Sequence, residues 1–582
     1  MLVDCGESHE RRLLALACVS KKSRLTAACA LALAALAASL LAACGRDGAR
    51  TPVPSPSATP AVTPVAFTPV AARPTPSPRP PPDGLKRGGV LRFAVQEPPP
   101  HLDPHQTVSS ALVTWGPGIA YSRLFKFATG PDVSTQNGEV ECDLCETWSM
   151  PDALTLRVTL RADALWQKAA PVAGRAVTAQ DVVFSYGRQA TPGWPNAPLM
   201  SNVANLTAVS GSVIEIKLKY PDAEALENFA DAHSLIVAEE AVRQSGDLLR
   251  GPVVGSGPWA LDSSDADGAA YRANPDYYEP GVPYLDGLDV RVIADAGTRI
   301  AAVRNRLLDM DQPLVADAKD AVAVFPALKL SRVLGPGAGA AVWLNASRPP
   351  LGSAEVRQAV LKALDPWAAI ATVWNGEGVV SPGLPVRDPS WMLPESEMRA
   401  YFGSEGAPGQ PQGGSLAGAS KLEIKVGEFS PRYVQTAETF AEQLTAAGFA
   451  VEVVPVTTRD FGEKVWLGGQ YQLAVGAPPP VASLNAYLFS TLHSQGARNT
   501  HGYSSPSLDA LIEKQAVEFD PAARRELVLQ VQRDLMGAAV SFNAVTTVSL
   551  WVSWDYVRGF APDLYRGESG WLTHLWLDMP AQ

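Results

Sequence analysis

Apolar and polar residues alternate through GGVLRFAVQ (Gly88–Gln96), LTLRVTLRADALW (Leu154–Trp166) and GSVIEIKLKY (Gly211–Tyr220). A period of two is the mark of half-buried strands. Between them VTAQDVVFSYGRQ (Val177–Gln189) switches to a helical period, with Thr178 and Asp181 placed for a capping box. KLEIKVGEF (Lys421–Phe429) predicts another strand. It is followed by SPRYVQTAETFAEQLTAAGF, in which Tyr433, Phe440 and Leu444 share a face and Gly448 is the stop signal, and then by the strand AVEVVPV (Ala450–Val456). That order is a βαβ unit, which requires parallel pairing and a crossover. Asp520 and Pro521 open a last amphipathic helix, AARRELVLQVQRDLM, in the positions favoured at a helix start. The pattern therefore predicts an α/β body of more than one lobe, without repeats.

The first residues follow a different rule. Arg11, Arg12, Lys21, Lys22 and Arg24 precede an uncharged, alanine-rich run from Leu25 to Ala43. Basic, apolar and then small residues describe a secretory signal rather than a permanent span, since no basic stop-transfer cluster follows. Leu41-Ala42-Ala43-Cys44 resembles the lipobox of bacterial lipoproteins. The resemblance implies cleavage before Cys44 and its lipidation, which would anchor the chain to a membrane outside the cytoplasm. From Gly45 to Pro82 the sequence is rich in Pro, Thr, Ser, Ala and Val and poor in larger apolar side chains. Such a segment cannot bury enough surface to order itself and is expected to be an extended tether.

Among its 582 residues, 46% are hydrophobic and 14 are Trp, ample for a packed core, while the formal charge of −11 argues against non-specific nucleic-acid binding, which needs clustered Lys and Arg. Of six cysteines, only Cys142 and Cys145 follow Cys44, so this is no disulfide scaffold.

Phrases from Gly88 onward resemble, in order, the family 5 extracellular solute-binding proteins of ABC transporters, the oligopeptide, dipeptide and nickel class. They include RGGVLRFAVQEPPPHLDPH, CDLCETWSM, VTAQDVVFSYGR, GSGPWAL, WLNASRPPLGSAEVRQAVLKALD and NTHGYSSPSLDALIEKQAVEFDPAARRELVLQVQRDL. The resemblance implies a periplasmic-binding-protein-like type II fold: two α/β lobes with a hinge and an extra domain inserted in the N-terminal lobe. The expected divisions are a signal peptide at 1–43, a lipidated tether at 44–86, lobe I at 87–127, 220–342 and 556–582, the inserted domain at 128–219 and lobe II at 343–555.

Several clusters carry residue types capable of chemistry. Cys142-x-x-Cys145 is read as a local disulfide, with free thiols or a redox pair as the alternatives. His101 and His105 have a spacing that would suit a metal on a helix, but Pro104 and the prolines before them predict a loop. His493 and His501 lack carboxylates at ligand spacing. VGSGPW is not a nucleophile elbow, and no phosphate-binding or dinucleotide motif appears. The chain is thus expected to bind rather than catalyse, with no cofactor and no metal.

Peptide binders of the family usually carry, in the segment matching Tyr471–Phe489, an Asp that pairs with the ligand ammonium. YQLAVGAPPPVASLNAYLF has no acidic residue at all. The expected contacts are therefore Gly476, Ala477, Ser483 and Asn485 in this segment. Position in the family's chain adds Thr107, Ser109 and Ser110, together with Trp343, Trp374 and Trp391 as aromatic platforms. The function implied is a monomeric, lipid-anchored binding component that captures a peptide-like or other small polar solute for an ABC permease and its ATPase. The same body could instead sense that solute for a membrane receptor.

Overall fold

The computed structural model describes residues 69–74, 79–130, 133, 138–386, 388–403, 421–479, 483–562 and 568–579. The signal segment and Cys44 lie outside them. Two long strands, Leu328–Leu344 and Ser541–Trp554, pair antiparallel from Leu328 opposite Trp554 to Trp343 opposite Ser541. Around them an eleven-stranded sheet is built, in which the short strand Val379–Ser381 also pairs with Ser541–Trp554. On one flank Met310–Asp311, Val90–Val95 and Gly287–Val292 follow, and then the antiparallel strands Gly268–Ala273 and Trp259–Ser264. On the other flank lie Leu473–Gly476, Lys421–Gly427 and Ala450–Val456.

The last two of these strands pair in parallel across the helix Pro431–Ala446, the crossover the sequence predicts. Each flank has its own core. Leu91, Phe93, Trp259, Trp551 and Trp571 fill one. Val342, Leu344, Phe440, Leu444 and Phe542 fill the other. Both long strands contribute to both cores, so neither lobe can lose them and keep its packing.

Pairing of the long strands is irregular between Leu334 and Gly339. Gly337 and Gly339 have φ of +75° and +113° there, a region side chains other than glycine seldom enter. A Cβ on Gly339 would stand 2.0 Å from the Val545 carbonyl oxygen.

A separate five-stranded antiparallel sheet runs in the order Val70–Pro74, Cys145–Asp152, Thr155–Leu160, Val213–Leu218, Val203–Ala208. Its core holds Leu156, Trp166, Tyr186 and Ile216. The helix Ala179–Gln189 packs here, its Thr178 N–H donating 2.8 Å to Asp181, and Arg175 holds the same carboxylate through two bonds. Cys142 and Cys145 are joined by a disulfide.

The first strand differs from expectation. The proline-rich segment is not wholly detached from the body, because Val70–Pro74 pairs with the sheet edge. Composition correctly denies this stretch a core of its own, yet strand pairing uses backbone groups that any composition supplies except at proline.

Replacing Gly339 by Ala is expected to lower the thermal unfolding midpoint, since a side chain is forced into both positive φ and the neighbouring strand. The cost should exceed about 1 kcal/mol, and an unchanged midpoint by calorimetry would contradict it.

Candidate functional site

The segment that leaves the five-stranded sheet, Asp222-Ala223-Glu224, crosses to the lobe carrying Leu484, Gln515 and Arg524. The Ala223 N–H donates to the Ala516 carbonyl at 2.8 Å. Arg524, near the start of the helix Pro521–Ala538, places Nη2 2.8 Å from Glu224 Oε1 and Nη1 3.6 Å from Glu227. Its Asp520 cap accepts from the Ala523 N–H at 2.8 Å, which fixes the first turn and with it the arginine. The Asn485 N–H donates to Glu224 at 2.9 Å, and its Nδ2 donates to Asp222 at 2.8 Å. Gln515 closes the network by donating 2.8 Å to Asn485 Oδ1.

Three of these charges are buried, Asp222 at 9% exposed, Glu224 at 2% and Arg524 at 5%, while Glu227 is half-buried. Burial raises the pKa of Asp222, and the nearby charge of Glu224 adds to the rise. Burial works against the Arg524 cation too, but Glu224 and Glu227 more than offset it and raise its pKa. A desolvated cluster of this kind is stable only because every member has partners.

Beside the network lies a cavity of about 610 Å³, within the size range of small-molecule sites. Trp148 and Met150 wall it from the five-stranded sheet. Trp391, Leu484 and Phe519 wall it from the other side, and Glu518 and Arg525 also line it. Arg524 stands over the Trp391 ring at 5.7 Å. The lining is mixed: aromatic faces for apolar or ring groups, with charges of both signs for polar ends.

The expected contact residues divide. Trp391 lines the cavity, Asn485 stands in the network next to it, and the Ser483 side chain accepts from the Ala486 N–H as the cap of the short helix Leu484–Tyr487. Gly476 and Ala477 lie elsewhere. A Cβ on Gly476 would meet the Phe461 ring at 2.4 Å, and the Ala477 carbonyl accepts from Trp466. Trp343 is packed with Phe461 and Val465 in a core cluster. Trp374 is buried in another and donates to Thr436 at 3.0 Å. Thr107 accepts from the Ser109 N–H, and its carbonyl takes a bond from Asn196. Ser110 is exposed at the start of the helix Ser110–Val113.

Asp222, Glu224 and Arg524 had no signal of their own in the sequence. A charged residue on an amphipathic helix or after a strand reads as surface, and only the meeting of two distant segments buries it.

His105 and His493 are held by local contacts. His105 is buried with Nε2 2.8 Å from the Leu235 carbonyl and Nδ1 3.0 Å from Arg188, and burial followed by the Arg188 charge lowers its pKa to about 4. His493 meets carboxylates from a later helix, Glu513 at 3.3 Å and Asp509 at 3.9 Å, one helical turn apart on Pro506–Ala516. Among the described residues no group of three or more such side chains is arranged to hold a metal ion.

The model of the bacterial extracellular solute-binding proteins, family 5, matches residues 139–499. The chain belongs to this family. It is 28% identical over 324 residues to a probable di/tripeptide-binding protein of Pseudomonas aeruginosa, covering 51% of this chain and 59% of that protein. It is 22% identical over 456 residues to a probable D,D-dipeptide-binding periplasmic protein of Escherichia coli, covering 75% and 84%. The fold is that of HbpA2 from Haemophilus parasuis, with a TM-score of 0.70, 21% identity and coverage of 84% of this chain and all of that one. This family 5 protein thus has the type II periplasmic-binding-protein fold, and its family is one of extracellular solute-binding proteins.

Replacing Arg524 by Met leaves Glu224 buried without its cation. The expected loss is about 3–5 kcal/mol, read as a drop in the urea midpoint, and most of it should return in the double variant Arg524→Met, Glu224→Gln. A single variant as stable as the parent would mean the pair is solvated in solution.

Proposed function

We propose that this protein is the substrate-binding component of an ABC importer, held at the membrane by lipidated Cys44 and capturing a small peptide-like solute between its lobes for a permease and its ATPase. The observation that carries the reading is the cavity walled from both sides of the cross-lobe network, because a ligand there would be enclosed as the lobes meet. The irregular, glycine-lined stretch Leu334–Gly339 is the proposed hinge. The names of the relatives, di/tripeptide and D,D-dipeptide binders, support a peptide-like class.

The segment Tyr471–Phe489 offers no carboxylate to a ligand ammonium, and Asp222 and Glu224 are already spent on Asn485 and Arg524. The solute is therefore proposed to lack a free amino terminus recognised by that segment, as a modified or blocked peptide would.

Native mass spectrometry of protein purified from its own host should show a co-purified peptide-like molecule. Trp391→Ala should weaken its retention about 3- to 10-fold through loss of a ring contact, whereas Trp374→Ala should lower stability and leave retention unchanged. An ordinary peptide with a free amino terminus seated against Tyr471–Phe489 would refute the ligand reading. Cys44→Ser should move the protein from the membrane to the soluble fraction, and a variant still in the membrane fraction would refute the anchor.

A further inference from the structure

Cys145–Asp152, the edge of the four strands other than Val70–Pro74, is a place where an extended backbone adds a strand. Val70 pairs with Met150, Arg73 with Trp148 and Pro74 with Thr147. Arg73 lies over the Trp148 ring at 5.5 Å, a cation–π contact, while Val70 packs against the core of that sheet. Proline at either end, Pro69 and Pro74, suits an edge strand and prevents a further strand from joining there. The chain beyond is also tied down. Arg79 donates to the Thr129 carbonyl at 2.9 Å and pairs with Glu141 at 3.0 Å, and Lys86 pairs with Asp578 at 2.7 Å.

Val70 and Arg73 are at the same time part of the cavity wall, facing a lining that includes Glu518, Phe519 and Arg525. We infer that Cys145–Asp152, which is the edge of the four strands other than Val70–Pro74, is a strand-binding site for an extended peptide segment, occupied in cis by Val70–Pro74, which thereby acts as a strap completing the interlobe cavity. Backbone pairing gives the strap its affinity and the Arg73–Trp148 and Val70 contacts give it register, as in other cases of strand addition. Its local concentration, in the millimolar range for a segment joined by a short connection, excludes competitors from outside. That the strap borders the captured solute rests on the function proposed above, but the docking itself does not.

The test uses the full chain carrying Val70→Asp and Arg73→Asp, and a labelled, end-blocked hexapeptide of the sequence Pro69–Pro74. Hydrogen exchange at the amides of Thr147–Met150 should rise about tenfold in the variant and return toward the parent value when the hexapeptide is added. By fluorescence polarisation the hexapeptide should bind the variant at least tenfold more tightly than the parent, whose edge is filled. Unchanged exchange in the variant, equal binding to both chains, or binding to neither would each overturn the inference. A far-ultraviolet dichroism spectrum identical to the parent's separates loss of the strap from loss of the fold. A ligand failure in the Trp391 experiment with these results intact would fault the cavity reading alone.

Discussion

Everything in this molecule depends on the ladder between Leu328–Leu344 and Ser541–Trp554. It is the shared centre of one eleven-stranded sheet, and it supplies Val342 and Phe542 to one core and Val333 and Trp551 to another. Two cores that share backbone in this way cannot drift apart, and the proposed hinge lies where their shared pairing is irregular. The irregularity falls between Leu334 and Gly339, where glycine relieves the steric limits on φ. Stiffness in the ladder and freedom in the bulge together are what hinge closure requires.

The cross-lobe network works within that freedom. Its charges are desolvated, so each is favourable only while its partner on the opposite lobe is present. Separation of the lobes would expose Asp222, Glu224 and Arg524 to water, which solvates them well. The network therefore makes closure specific in geometry without making it strongly favourable. A solute filling the adjacent cavity can then decide the balance through its own contacts.

Much of the fold was legible because it is written locally. The alternation in Val90–Val95 and Val213–Leu218, the capping pair at Thr178 and Asp181, and the Asp520 cap all act within a few residues, and each element formed where its pattern stood. The site was less legible because it is made of distant pairs. Asn485 was picked out by its segment, but its partners Asp222 and Glu224 lie some 260 residues away in sequence. Trp343 and Trp374 show the opposite error: an aromatic residue carries no mark of whether its face meets a ligand or a neighbouring core side chain. The strand at Val70–Pro74 is not legible in the sequence because its pairing depends on main-chain groups, which composition does not reveal.

That strand also changes the geometry of attachment. If Cys44 is lipidated, the chain first joins the folded body at Val70 rather than near Arg87. At a contour limit of about 3.6 Å per residue, the greatest span of the connecting segment falls from roughly 150 Å to roughly 90 Å. The body would then hang from one side of its smaller sheet. Its thermal tumbling would be that of an object tethered off-centre, which restricts the faces it can turn toward the bilayer.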